Sequence, residues 1–246
     1  MQFANIEWCH QNGSKNDIAQ PYSIDFNDVY FNSEDGLAET QYVFIDKNDL
    51  ISRFKNLQEP VFTVFETGFG TGLNFYAVAD CWLNHAPKTA KLNYVSIEKL
   101  PLSLADMQRV SQLWLKFSAI SGEFLTQYKN LQSPTSVFSM ATGRIDIGLW
   151  LGDIKDVLAN MQFPDNLQVD AWLLDGFAPA KNAGMWSNDV FTHVARLSKP
   201  NTSFATFTSA GAVRRGLQTA GFDTKKHKGF GKKREMLSGI FIGSHD

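Results

Sequence analysis

The chain has 246 residues, 43% of them hydrophobic and 20% charged, with a formal net charge of −2. That balance excludes a disordered chain, and no apolar run approaches the 18 residues of a membrane span. Its two cysteines, Cys9 and Cys81, lack zinc or CxxC spacing, and the start, with Asn5, Glu7 and His10, is no signal peptide, so the cytoplasm is the expected compartment and no metal is expected.

Residues 1–60 hold no long periodic helix. Tyr42-Val43-Phe44-Ile45 reads as a short strand, preceded by Asp28-Val29-Tyr30-Phe31 and Gly36-Leu37-Ala38-Glu39-Thr40. We read this segment as an N-terminal cap packed on a main domain at 61–246, with an ordinary N-terminal hairpin that makes no ligand contact as the plain alternative.

Val61-Phe62-Thr63-Val64-Phe65-Glu66 reads as a buried strand, and Thr67-Gly68-Phe69-Gly70-Thr71-Gly72 as a turn with glycine at alternate positions. Glycine carries no Cβ, so such a turn lets backbone groups approach a ligand closely. Leu73, Phe75, Tyr76, Val78, Ala79, Trp82 and Leu83 then recur at helical spacing over 74–84. Leu92 to Glu98 reads as a second strand, which completes a βαβ unit.

A helix follows from near Ser103, with Leu104, Met107, Val110, Leu113 and Trp114 on one face, and then a looser region punctuated by Gly122, Pro134 and Gly143. Asp146 to Leu151 is the third strand, and Gly152-Asp153-Ile154 turns into a helix through Val157, Leu158 and Met161. Val169 to Asp175 is the fourth strand, Gly176 to Lys181 a loop, and Asp189 to Leu197 a helix. Thr202 to Phe207 is the fifth strand, Ala210 to Ala220 a helix, and 223–228 with 236–242 a closing hairpin. This alternation argues a mostly parallel, doubly wound α/β sheet ending in an antiparallel hairpin.

Open α/β sheets bind ligands outside the carboxyl ends of their strands, where Glu66, Glu98, Asp153 and Asp175 fall. Four carboxylates there would repel a pyrophosphate, and a dinucleotide fingerprint wants glycine at position 73, which is Leu73 here. An NAD-dependent oxidoreductase is therefore disfavoured. The pattern suits a cationic ligand with a ribose diol, such as S-adenosylmethionine, held by Glu66, Gly68, Gly70, Thr71, Gly72, Glu98, Asp153 and Asp175. Glu98 is placed to accept both ribose hydroxyls, with a solvated strand-end carboxylate as the plain alternative. Asp153 can accept from the adenine amine, and an N-cap role explains it almost as well.

Asp175 is the best catalytic candidate, because a carboxylate there can orient an acceptor amine and take its proton. Phe177 and Trp186 can pack an aromatic base, and each reads equally well as core. From Ala212 onward eight Lys/Arg face three carboxylates, about +5 against about −7 for the rest. This basic segment points to a polyanionic partner, with a solvated charged hairpin as the plain alternative.

Several runs resemble the methyltransferase domain of the bacterial MnmC family of tRNA wobble-uridine modification enzymes. They include Asp28-Val29-Tyr30-Phe31, Gly68 to Phe75, Glu98-Lys99 with Pro101-Leu102, Gly152-Asp153-Ile154, Leu174 to Asn182, Met185-Trp186, Ala205 to Gly211 and Lys228 to Leu237. The match spans nearly the whole chain and is weakest over 111–142. It implies a Rossmann-like class I S-adenosylmethionine-dependent methyltransferase. The implied reaction is methylation of the aminomethyl group at C5 of the wobble uridine, giving 5-methylaminomethyl-2-thiouridine.

Within that resemblance Asp175, Phe177 and Lys181 stand as catalytic residues. Trp186, Arg215, Lys228, Lys232, Lys233 and Arg234 stand as tRNA-binding residues. The family's common form carries a C-terminal flavin-dependent oxidoreductase, so an oxidase partner, fused or separate, is expected. A methyltransferase for small amines and a non-catalytic S-adenosylmethionine-binding module are the competing readings.

Overall fold

A computed structural model describes residues 1–10, 19–32, 34–161 and 168–243. Three short strands, β1 (Ile6–Cys9), β2 (Gln20–Ser23) and β3 (Asp28–Val29), form a separate antiparallel sheet near the N-terminus. Helix α1 (Gly36–Thr40) follows, capped by Asp35, whose Oδ1 accepts from the Ala38 amide at 2.9 Å.

The strand expected at Tyr42–Ile45 is instead a π-helical turn over Gln41–Asp46. Val43, Phe44 and Ile45 are buried consecutively, whereas a strand would send alternate residues to opposite faces. Gln41 Nε2 donates to Asp46 Oδ1 at 2.8 Å, spanning the five-residue interval of one π turn. A short apolar run does not by itself distinguish strand from helix, and packing decided this one. Helix α2 (Leu50–Lys55) then buries Leu50 and Phe54 in the same core.

Next come β4 (Val61–Glu66), α3 (Leu73–His85), β5 (Lys91–Glu98), α4 (Leu104–Ser111), α5 (Ser118–Tyr128), β6 (Thr135–Met140) and β7 (Ile145–Leu151). The chain continues through α6 (Ile154–Asn160), β8 (Val169–Leu173), α7 (Asn188–Arg196), β9 (Ser198–Thr206), α8 (Gly211–Thr219), β10 (Phe222–Lys228) and β11 (Glu235–Phe241). The looser region expected after Trp114 therefore holds a helix and an edge strand. In β6 only Ser136, Phe138 and Met140 point inward, and serine on both faces blurs the alternation that reveals a strand.

The main sheet runs β10-β11-β9-β8-β4-β5-β7-β6. β7, β5, β4, β8 and β9 are parallel, and β6, β11 and β10 pair antiparallel to their neighbours. Alternation along each central strand feeds two cores. Val64 and Tyr94 join the core under α3 and α5, while Phe65 and Ile97 join the one under α6, α7 and α8. The chain builds β4, β5 and β7 outward and then returns to β8 beside β4, so the switch point lies between β4 and β8. Among the described residues no helix is long and apolar enough to cross a membrane.

Trp82 shows how α3 is held. Its ring is 0% exposed and meets Phe54 edge-on at 5.0 Å, tying the helix to α2. Trp82→Ala should cost about 3–5 kcal/mol, read as a lower urea midpoint with an unchanged slope.

Candidate active site

The residues after β4 cannot continue as a strand, because Gly70 and Gly72 take φ of +51° and +74°. Left-handed backbone of this kind suits glycine, and it turns the chain into α3. Gly68 lies against the chain just after β8, where an added Cβ would come within 3.3 Å of the Asp175 carbonyl and of Gly176 Cα. The turn is thus packed on the start of the Asp175–Asn182 loop. Thr67 pins the two together, its hydroxyl donating to the Asp175 carbonyl at 2.6 Å and accepting from the Asp175 N–H at 2.9 Å.

A cavity of about 470 Å³ opens at these strand ends. Such a volume suits a small-molecule ligand. Gly68, Gly70, Thr71, Glu98, Asp153, Asp175 and Phe177 line it, as do Lys232 and Lys233.

Glu98 ends β5 and folds back on the turn. Its Oε2 accepts from the Gly70 N–H at 2.8 Å and its Oε1 from the Leu100 N–H at 2.9 Å. Burial pushes this carboxyl up, against backbone N–H donors that favour its charged form. Each oxygen keeps a lone pair for a ligand hydroxyl. Asp153 is the N-cap of α6, with Oδ1 accepting from the Lys155 N–H at 3.1 Å and Oδ2 from Lys99 Nζ at 3.0 Å. Burial raises its carboxyl, but the Lys99 and Lys155 contacts outweigh it and hold the group below the usual range. The capping role and a place on the cavity wall are both present.

Glu66 lies one layer deeper. It is fully buried, is not among the lining residues, and accepts from Asn74 at 2.9 Å and from the Ser96 hydroxyl at 2.7 Å. Asp175 accepts from the Asn74 Nδ2 at 2.6 Å and from the Gly176 N–H at 2.8 Å. Burial pushes its carboxyl up to about 6, with the Gly176 and Asn74 bonds opposing and the Glu39 charge adding to the rise.

One side of the cavity is aromatic. Phe177 stacks on Phe26 at 4.5 Å and meets Tyr30 edge-on at 5.2 Å. Phe26 and Tyr30 come from the N-terminal segment; Tyr30 lies in the Asp28–Phe31 run that resembles the family, and no local pattern in the sequence marked Phe26. Asp28 joins them, accepting from the Ala178 N–H at 3.2 Å.

Trp186 stands elsewhere than a base-stacking surface would. It is 7% exposed, does not line the cavity, and its indole N–H donates to the Phe177 carbonyl at 2.9 Å, so it supports the loop from within. Lys181 is exposed on the same loop, outside the lining.

The structure gathers Lys228, at the end of β10, with Lys232, Lys233 and Arg234 in the turn between β10 and β11, all exposed. Lys232 pairs with Glu34 at 2.6 Å and Lys233 with Glu39 at 2.8 Å, which brings the turn to the cavity edge. Arg215 is exposed on α8 and is not among the lining residues. Among the described residues no group of His, Cys, Asp or Glu is placed to hold a metal ion.

The donor set fits a cationic, diol-bearing cofactor. The glycine turn offers bare backbone, Glu98 offers acceptors to hydroxyls, and the carboxylates favour positive charge.

Comparison with known proteins agrees. The bifunctional tRNA 5-methylaminomethyl-2-thiouridine biosynthesis protein MnmC of Methylobacillus flagellatus is 44% identical over 97% of this chain, and that of Aeromonas hydrophila 42% over the same share. The chain spans 35% of the length of each. The crystal structure of MnmC2 from Aquifex aeolicus superposes with a TM-score of 0.71 at 17% identity, covering 99% of this chain and 73% of that one, which establishes the shared fold. Residues 115–241 match the family described as S-adenosyl-L-methionine-dependent methyltransferase. With the glycine turn and strand-end carboxylates already in place on a Rossmann-like class I sheet, this chain belongs to the S-adenosylmethionine-dependent methyltransferase family.

Proposed function

We propose that this chain methylates the aminomethyl group at C5 of 2-thiouridine at the tRNA wobble position, giving 5-methylaminomethyl-2-thiouridine. The observation that carries this reading is the 42–44% identity over 97% of the chain to proteins named for that biosynthesis. Bound S-adenosylmethionine supplies an electrophilic methyl group on a sulfonium.

The chain's residues divide the remaining work. Glu98 accepts from the ribose hydroxyls, the Gly68–Gly72 turn gives backbone contact, and Asp153 takes the adenine side. Asp175 accepts a hydrogen of the substrate amine, aims its lone pair, and holds the released proton on its carboxylate. Phe177, supported by Phe26 and Tyr30, gives the uracil an apolar face. Trp186 holds the loop that carries Asp175 and Phe177.

The β10–β11 hairpin end meets tRNA phosphates through Lys228, which closes β10, and through Lys232, Lys233 and Arg234 of the turn, with Arg215 and Lys181 as outlying cations. Because the named relatives are bifunctional and this chain spans 35% of their length, a second unit that prepares the amine, a flavin-dependent oxidoreductase, is the expected partner. The site of action is the cytoplasm, where tRNA resides.

Labelled S-adenosylmethionine and tRNA lacking the final methyl test the reading. Label is expected in the wobble nucleoside, and its absence there overturns the assignment. Affinity for tRNA should fall steeply with salt, and Lys232→Ala with Arg234→Ala should lower the slope of log K against log salt by about two. An unchanged slope removes this turn from the tRNA contact.

A further inference from the structure

Asn74 follows the glycine turn directly, as the second residue of α3, and it is buried. Both ends of its amide are engaged. Oδ1 accepts from the Thr40 hydroxyl at 2.9 Å, and Nδ2 donates to Glu66 Oε1 at 2.9 Å and to Asp175 Oδ2 at 2.6 Å. The reverse orientation would aim the amide oxygen at two carboxylates, so the network sets which end is which.

Four elements thus meet at one amide: α1, β4, α3 and the loop after β8. The second oxygen of each carboxylate is also occupied, Glu66 by the Ser96 hydroxyl at 2.7 Å and Asp175 by the Gly176 N–H at 2.8 Å. A carboxylate gripped by an N–H at each oxygen does not rotate freely, and both donors favour its charged form.

We propose that Asn74 is a positioning residue whose amide, held by Thr40, presents Asp175 to the acceptor amine as an oriented, ionised carboxylate and bridges it to Glu66 beneath. The assignment rests on the reading of Asp175 as the amine-holding group. The other ionisable groups facing Asp175 are Glu66 from β4, Tyr94 from β5, Glu39 from α1 and Lys233 from the hairpin turn. Burial pushes Glu66 upward and the Asp175 charge pushes the same way, so the deeper carboxyl favours its neutral form and spares Asp175 a buried like charge.

The test reads Asp175 directly. In protein labelled with 13C at the aspartate carboxyls, the Asp175 signal is identified by its loss in Asp175→Asn and titrated without tRNA. The wild-type midpoint is expected near 6. Asn74→Ala should raise it by about one pH unit, the scale of one lost charge-assisted hydrogen bond. Thr40→Val, which keeps the side-chain volume, should raise it by a smaller amount.

The acidic limb of kcat should move with the titration, and the KM for S-adenosylmethionine should stay within about twofold, as expected for an interaction made at the acceptor. Should Asn74→Ala fail to fold, Thr40→Val decides alone. An unmoved Asp175 midpoint in the variants that fold overturns the proposal, and so does an effect confined to KM. Because the titration needs no tRNA, a failure to label tRNA would overturn the functional reading and leave this test standing.

Discussion

Replacing Asp175 with alanine should lower methyl transfer by about 10²- to 10⁴-fold, the range for removing a positioned general base. The position of the group explains the size. Its backbone is clamped by Thr67 at 2.6 and 2.9 Å, and its carboxylate is held by Asn74 and Gly176. A side chain so constrained contributes orientation as well as charge, and both are lost together in alanine.

The pH dependence carries the same sign. Asp175 accepts a proton only when ionised, and burial lifts its carboxyl to about 6. Wild-type kcat should therefore fall about tenfold per pH unit below that value and level off above it. Asp175→Asn keeps the shape without the charge and should abolish the limb. Cofactor affinity, measured by calorimetry, should change little in either variant. Turnover by Asp175→Ala within about threefold of wild type would remove the residue from the mechanism.

The second large effect is expected at Glu98. Glu98→Ala should weaken S-adenosylmethionine binding by on the order of 100-fold, while kcat at saturating cofactor stays near wild type. Two losses combine in this variant. The ribose hydroxyls lose their acceptor, and the amides of Gly70 and Leu100, bonded to Glu98 at 2.8 and 2.9 Å, lose their partner. The first weakens the ligand directly, and the second loosens the backbone that cradles it. Glu98→Gln should fall between, because its amide nitrogen cannot accept from one of those N–H groups. A rise of less than about threefold in Kd for Glu98→Ala would assign the diol to another residue.

Much of this was legible locally. Alternate glycines after Phe62, Val64 and Phe65 predict a strand, a tight turn and a helix, since Cβ size and strand alternation act over a few residues. The same reasoning put Glu98, Asp153 and Asp175 at strand ends, and all three line the cavity. The errors were also local. Tyr42 to Ile45 reads as a strand because an apolar run lacks a period, and the region after Trp114 reads as looser because Gly122, Pro134 and Gly143 mask α5 and β6. An added Cβ at Gly122 would meet nothing within 4 Å, so that glycine is a surface residue within a helix.

The sequence by itself determined the doubly wound sheet, the bare backbone of the glycine turn and the carboxylates around it, because each follows from neighbours in the chain. The tertiary structure decided which distant groups share a hydrogen bond. Residue 74 meets residues 40, 66 and 175, Trp186 turns inward beneath the loop, Phe26 and Tyr30 reach Phe177, and the lysines of the last hairpin reach Glu34 and Glu39. Those meetings depend on strand order and on how the N-terminal segment packs across the strand ends. Residue periodicity encodes which face a side chain takes, and the packing of faces sets which partner it finds there.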